Sequence, residues 1–208
     1  MLKRKRVKLM NSEATVTQHP STIYYKETGV VWRLSNYFLE HIPFDHQNLV
    51  FCCIGTDRST GDALGPMTGS FLTQLVSFPF QVVGTLDNPL HALNLEEITE
   101  ELKRAPDSPY IIAIDACLGN ANNIGQIIVH RGPLFPGKAV KKELPPIGEV
   151  SIKAVVNIGG FMEYNVLQST RLNLTFEMGR VISRSLLLAW HRYNLKDINN
   201  SNRNANNH

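Results

Sequence analysis

The chain has 208 residues and a mass of 23.4 kDa, a size that one hydrophobic core commonly serves. Hydrophobic residues make up 43% of it and charged residues 19%, which excludes a wholly disordered protein. Its three cysteines are too few, and odd in number, for a disulfide framework, so we expect a reducing, cytoplasmic setting.

The formal net charge of +3 comes from one short segment at the start of the chain. Residues 1–9 hold five of the 21 lysines and arginines, and the other sixteen face 18 acidic residues. We therefore expect 1–20 to be a flexible basic tail on a mildly acidic body, with no nucleic-acid partner. No run of 18 apolar residues occurs, so we expect no membrane partner either. The asparagine-rich segment 197–208 predicts a disordered tail, which leaves one domain over 21–196.

Apolar spacing predicts the first helix over 29–42, where Val31, Leu34, Phe38 and Ile42 recur every three or four residues. A continuous apolar run then predicts a buried strand over 49–54. The later predicted elements are a helix over 64–77, a strand over 81–85, a helix over 95–105 capped by Asn94, strands over 110–114, 126–130 and 150–157, and a last helix from 164 to 191.

Strands that alternate with helices predict an α/β fold, a three-layer sandwich with a mostly parallel, mixed central sheet. The strands over 126–130 and 150–157 have no helix between them, so we expect one antiparallel pair. If the strands over 49–54 and 110–114 are neighbours, ligands should bind beyond their carboxyl ends, where the crossovers leave in opposite directions.

Two loops bring carboxylates to that place, with Asp62 in the loop 55–66 and Asp115 at the start of the loop 115–119. Two carboxylates at one switch point can share a proton, activate a water or hold a divalent metal. Structural roles are open for both residues: Asp62 as a helix N-cap, and Asp115 as an acceptor for loop amides.

Further candidates for substrate binding lie in the same loops and in two others. Asp57 and Arg58 accompany Asp62, although either could bond only within the turn. His91 follows the strand over 81–85, and Glu163 follows the last strand. Gly55 and Gly61 would give backbone amides room near a developing oxyanion. Cys117 favours a structural role, because no histidine stands beside it in the sequence. The chain lacks a P-loop, a G-x-S-x-G elbow, a C-x-x-C and an H-E-x-x-H. We therefore expect no structural or zincin-type zinc site and assign no metal ligand.

The segment IGTDRSTGDALGP over 54–66 resembles the glycine-rich loop of the spore germination protease, and IAIDA over 112–116 is similar to its second aspartate motif. More closely, 53–66, 84–91 and VNIGGFMEY over 156–164 resemble the YyaC-like family, proteins proposed as spore proteases of endospore-forming bacteria. That resemblance spans most of residues 25–190. It implies a phosphorylase/hydrolase-like fold, shared with hydrogenase maturation endopeptidases.

The resemblance also implies roles for the two aspartates. Both matching residues are thought to be catalytic in the germination protease, and they carry over to Asp62 and Asp115. In the hydrogenase-processing enzymes an acidic pair and a histidine bind metal; no histidine here matches the third position securely. The setting implied is the mother cell or forespore of a sporulating bacterium, and the germination protease assembles as a tetramer, so a homo-oligomer is open.

Three functions stay open on the sequence. The first is an endopeptidase of sporulation or germination that hydrolyses protein or peptide substrates with the aspartate pair and no cofactor. The second is a non-catalytic sporulation factor that binds a peptide or protein partner in the same crevice. The third is a hydrolase that acts on a small ester or amide with a divalent metal between Asp62 and Asp115.

Overall fold

The computed structural model of the chain describes residues 20–137 and 144–205. All but one residue of the predicted basic tail 1–20 therefore lies outside the described residues. The strands are β1 (Ser21–Tyr24), β2 (Leu49–Cys53), β3 (Gln81–Val83), β4 (Tyr110–Gly119), β5 (Gln126–Arg131) and β6 (Val150–Ile158). The helices are α1 (Val30–His41), α2 (Leu64–Thr73), α3 (Leu95–Lys103), α4 (Glu163–Gln168) and α5 (Leu172–Ala205).

The strands form one six-stranded mixed sheet in the order β1-β5-β6-β4-β2-β3. Its centre is parallel: β2 pairs with β3 and β4, and β4 pairs with β6. The edge carrying β5 is antiparallel, because β5 runs against both β6 and β1. The expected α/β class and the antiparallel pair are confirmed, and β2 and β4 are neighbours, as the expected ligand site required.

Two hydrophobic layers cover the sheet, one on each face. Leu34 and Phe38 of α1, Leu72 of α2 and Met178 of α5 belong to the larger cluster, with alternate residues of the strands. The smaller cluster on the opposite face joins Val50, Cys52, Ile111 and Ala113 to Leu95 of α3 and to Leu134 and Ile147. Because alternate strand residues belong to the two clusters, the sheet is the middle layer of a three-layer sandwich.

The expected last helix from 164 to 191 is divided into α4 and α5. The break is made by polar contacts that the sequence pattern does not reveal. The Thr60 hydroxyl donates to the carbonyl oxygens of Gln168 and Thr170, each at 2.8 Å. The amide of Gly61 donates to the carbonyl oxygen of Leu167 at 2.9 Å. These carbonyl oxygens accept hydrogen bonds from the 55–62 loop instead of from a following turn of one continuous helix. The segment between α4 and α5 therefore holds that loop in place.

Helix α5 continues to Ala205, whereas the composition predicts disorder from residue 197. Adding a residue to an existing helix costs little, since each one brings its own backbone hydrogen bond. Packing is not the reason, because the side chains of Leu195 and Ile198 are exposed. Strand β1 was also missed, since four residues carry too weak a pattern. Within the described residues, no helix combines the length and apolarity of a membrane span.

The close packing of α2 against the sheet gives the first prediction. A Cβ atom on Gly69 would lie 1.9 Å from the carbonyl oxygen of Gly84, which belongs to the backbone and has little freedom to move. We expect Gly69→Ala to lower the free energy of unfolding by about 1–3 kcal/mol, as overpacking does. Chemical denaturation would measure it, with exposed Thr73→Ala in the same helix as the control. An unchanged midpoint in Gly69→Ala would contradict this packing.

Candidate active site

The crevice at the carboxyl ends of β2 and β4 is the topological switch point of the sheet. After β2 the chain passes through α2 to β3 on one side, and after β4 it returns on the other side through β5 to β6. The two loops that carry Asp62 and Asp115 therefore meet at one edge, as in open α/β sheets generally.

A cavity of about 440 Å³ opens at this edge. Its ionisable lining consists of Asp62, Asp115, Cys117, Lys153 and Glu163. The remaining wall is largely apolar and includes Ile54, Ile128, Leu134, Phe135, Leu144, Val155 and Leu167. The cavity thus has the usual character of a small-ligand site, an apolar wall with a few polar groups.

Asp115 lies within β4, and not at the end of a strand as expected, because β4 continues to Gly119. It pairs in register with Lys153 of β6. Alternation places its side chain on the face of Ile111 and Ala113, which is the face of the smaller cluster. Removal from water and the negative charge of Asp62 raise the pKa of Asp115 well above its usual range, and a backbone hydrogen bond from Ala116 opposes them.

Asp62 lies in the turn before α2, but it is not the helix cap: Ala63 occupies that position, and no side chain caps the helix. Burial raises the pKa of Asp62 to about 6, partly offset by a backbone hydrogen bond from Thr56. A pKa near 6 leaves Asp62 mostly ionised at pH 7. Burial and the charge of Asp62 both favour the protonated form of Asp115, so the two environments differ in the direction expected of a base beside an acid.

Gly55 closes the loop onto Asp62 through its backbone. Its φ is 141°, and a Cβ atom there would lie 1.9 Å from the carbonyl oxygen of Asp62. Its amide donates to the carbonyl oxygen of Leu90 at 2.8 Å, and the amide of Gly61 donates to Leu167. These two amides therefore already have acceptors and are not free donors for an oxyanion. Both glycines shape the loop instead.

Of the other expected substrate contacts, Glu163 lines the cavity and Gly55 lies in its wall, while four do not reach it. The carboxylate of Glu163 accepts a hydrogen bond from the amide of Gly160 at 3.1 Å, which orients it. The four outside the cavity lining are Asp57, Arg58, Gly61 and His91. Asp57 and Arg58 are exposed, and the His91 ring accepts from the amide of Leu93 at 3.4 Å. Its neighbour Ala92 lines the cavity in its place.

Lys153 is the site residue that the sequence interpretation missed. It interrupts the buried run of β6 between Ile152 and Ala154, and a lysine inside such a strand was the available signal. Its charge acts on the nearby Cys117 thiol. Burial and the charge of Asp115 raise the pKa of that thiol to about 11, and the positive charge of Lys153 partly opposes them. At neutral pH the Cys117 sulfur is therefore a protonated thiol, which is a poor nucleophile.

Metal binding here would rest on two carboxylates. Among residues 20–137 and 144–205, no three or more His, Cys, Asp and Glu side chains are grouped so that they could hold a metal ion. Asp62 and Asp115 would supply oxygen ligands to a hard divalent cation, and water would complete its shell. Lys153 adds a positive charge to the same cavity, which opposes a cation there. The described lining therefore offers a divalent cation a small ligand set, and the charge of Lys153 opposes its binding.

Comparison with known proteins places the chain in a family. A family model described as "Protein of unknown function (DUF1256)" matches residues 22–185, so the chain belongs to the DUF1256 family. The chain is 46% identical over 140 residues to "Uncharacterized protein YyaC" of Bacillus subtilis (strain 168), a match covering 67% of this chain and 68% of that protein. The expected likeness to YyaC is thus confirmed.

Among solved structures, the chain is similar to the [NiFe] hydrogenase maturation protease HycI from Thermococcus kodakarensis KOD1. The TM-score is 0.48 at 18% sequence identity, and the match covers 76% of this chain and 99% of that one. A similarity of this size carries no argument about activity.

The raised pKa values give a prediction about stability. The folded protein holds the carboxyl proton of Asp62 more tightly than the unfolded chain does, so its contribution to the free energy of unfolding falls as the pH rises from about 4 through about 6. An asparagine at this position does not ionise, so the Asp62→Asn variant does not lose this part of the free energy of unfolding as the pH rises. At pH 7.5 we expect it to be more stable than the wild type by on the order of 2 kcal/mol.

Thermal denaturation at pH 7.5 and pH 4 would measure this, with Asp57→Asn as the exposed control from the same loop. The gain from Asp62→Asn should disappear at pH 4, where the wild-type carboxyl is protonated in the folded state and no longer has to be ionised away from water. Equal stability of Asp62→Asn and the wild type at pH 7.5 would show that Asp62 is not held away from water.

Proposed function

We propose that this protein is a peptidase-like hydrolase in which Asp62 and Asp115 together activate a water molecule. The observation that carries the proposal is the electrostatic coupling of these two carboxyl groups inside one cavity at the switch point of the sheet. Environments that separate the pKa values of two acids assign one as the base and the other as the acid.

In the proposed reaction, the Asp62 carboxylate takes a proton from water while the water oxygen attacks the carbonyl carbon of the substrate. Asp115 gives its proton to the carbonyl oxygen, which forms a neutral tetrahedral intermediate. In collapse, Asp62 returns its proton to the leaving nitrogen, and Asp115 recovers a proton as the carbonyl re-forms. One water is consumed, and both aspartates regain their starting states.

Asp115 would also donate the hydrogen bond to the developing oxyanion that the glycine amides cannot donate. Since the amides of Gly55 and Gly61 already donate to carbonyl oxygens, a neutral carboxylic acid is the described group best suited to the developing oxyanion. A protonated aspartic acid that donates a hydrogen bond needs the strongly raised pKa found at Asp115.

The biological setting is part of the proposal and rests on the motif resemblance described for residues 54–66 and 112–116. We infer an endopeptidase of sporulation or spore germination, acting in the mother cell or forespore on protein substrates. Small DNA-protecting and coat proteins of spores are the substrates to test first.

The two aspartates give the activity prediction. In assays with these spore proteins, Asp62→Asn and Asp115→Asn should each lower kcat/KM by at least about 100-fold, the size of a lost general acid or base. Wild-type kcat/KM should rise with pH through about 6 as Asp62 ionises, and fall at higher pH as Asp115 loses its proton. Because the pair titrates together, both limbs belong to the pair.

Asp57→Asn, from the exposed part of the same loop, is the matched control and should cleave at the wild-type rate. Equal cleavage by the wild type and an Asp62→Asn/Asp115→Asn double variant would contradict the assignment of these two aspartates as the catalytic pair. Cleavage that needs added Mn²⁺ and stops with a chelator would instead support the metal-assisted alternative.

The thiol of Cys117 offers a separate check, because it faces the same cavity. With its pKa raised to about 11, the thiol should react with iodoacetamide far more slowly at pH 7 than a free cysteine. Cys117→Ser should retain cleavage within about threefold of the wild type, since serine keeps a small polar group there. Rapid alkylation that abolishes cleavage, together with an inactive Cys117→Ser, would point to a thiol nucleophile.

One observation favours the second candidate, a non-catalytic factor that binds a peptide or protein partner. The amides of Gly55 and Gly61 are occupied, so the loop offers no backbone oxyanion hole through them. For a binding protein, the double aspartate variant would retain its partner, and purified wild type would cleave none of the spore proteins.

A further inference from the structure

Lys153 is a basic side chain in the lining of a cavity that also holds Asp62, Asp115 and Glu163. Three side-chain ion pairs occur among the described residues, and none involves Lys153. It is also the one basic side chain among the described residues that line the cavity. Lys153 is partly buried, and an anionic ligand atom in the cavity would gain a charge-assisted hydrogen bond from its ammonium group.

The surroundings of Lys153 are apolar. Its register neighbour on β5 is Ile128, and Val155 follows two residues later on the same face of β6. Leu134, Phe135 and Leu144 complete this side of the cavity. Phe135 is 59% exposed, which leaves a large apolar side chain at the surface. This wall complements a hydrocarbon or aromatic group attached close to the anion.

We propose that Lys153 binds a carboxylate of the ligand, and that the cavity takes an apolar residue carrying that carboxylate. The chemistry is that of an apolar C-terminal residue of a peptide. The volume of about 440 Å³ lies near the lower end of the range for small-ligand sites, roughly 300–1,000 Å³, which suits the end of a chain.

Under the proposed function, the position of Lys153 sets where the substrate is cut. Lys153 and Asp115 are register partners on adjacent strands, which lie about 4.8 Å apart. For the proposed endopeptidase, the carboxylate that Lys153 holds is the new chain end that cleavage creates beside Asp115, so the cut should follow an apolar residue. This step rests on the proposed hydrolase, whereas binding of the carboxylate does not.

Direct binding tests the proposal without catalysis. The probes are N-acetyl-L-phenylalanine and its uncharged amide, titrated by calorimetry and by NMR into the full chain. The wild type should bind the acid at least about tenfold more tightly than the amide. Lys153→Met should lose that preference, Lys153→Arg should keep it, and Lys103→Met, an exposed lysine of α3, should not change it.

The Asp62→Asn/Asp115→Asn variant separates the two proposals, because it should still prefer the acid while cleaving nothing. Acid preference without any cleavage by the wild type would overturn the hydrolase alone. Equal binding of acid and amide, or an unchanged preference in a folded Lys153→Met, would overturn the role of Lys153 alone. Circular dichroism of Lys153→Met establishes that it is folded.

Discussion

The site depends on the cost of holding two carboxyl groups near each other and away from water. Removal from water raises the pKa of both Asp62 and Asp115, and the charge of Asp62 raises that of Asp115 further. Burial and like charge disfavour ionising both members at once, and the buried layers on the two faces of the sheet must offset that cost. The same cost would let one group serve as a base and the other as an acid under the proposed function.

Backbone geometry, more than side-chain packing, brings the pair together. Gly55 lets the loop after β2 fold onto Asp62, at a distance that no Cβ atom would permit. Thr60 and Gly61 then bind the carbonyl oxygens at the end of α4, so one loop is held from two sides. These contacts explain why the last predicted helix is broken. They also occupy the amide of Gly61, while the amide of Gly55 donates to Leu90, so neither N–H group is free to bind a substrate.

The hydrophobic pattern of the sequence was sufficient to predict much of the fold. Buried runs at β2 and β4 are continuous because both faces of these strands are covered, and the periodicity of α1 marks one buried stripe. The same patterns could not reveal β1, whose four residues pair only because β5 offers an edge. They also missed the extension of β4 past Asp115, because the continuous apolar run ends at that aspartate and residues 116–119 stay extended through their pairing with β6.

By itself, the sequence determined the α/β class and the two aspartates as candidates, because these follow from local periodicity and from loops at strand ends. The tertiary structure decided the strand order and which side chains share a cavity. It left Arg58 and His91 outside the lining and added Lys153, since a position 38 residues from Asp115 becomes its neighbour only through strand pairing. Strand register is a long-range property that no local pattern specifies.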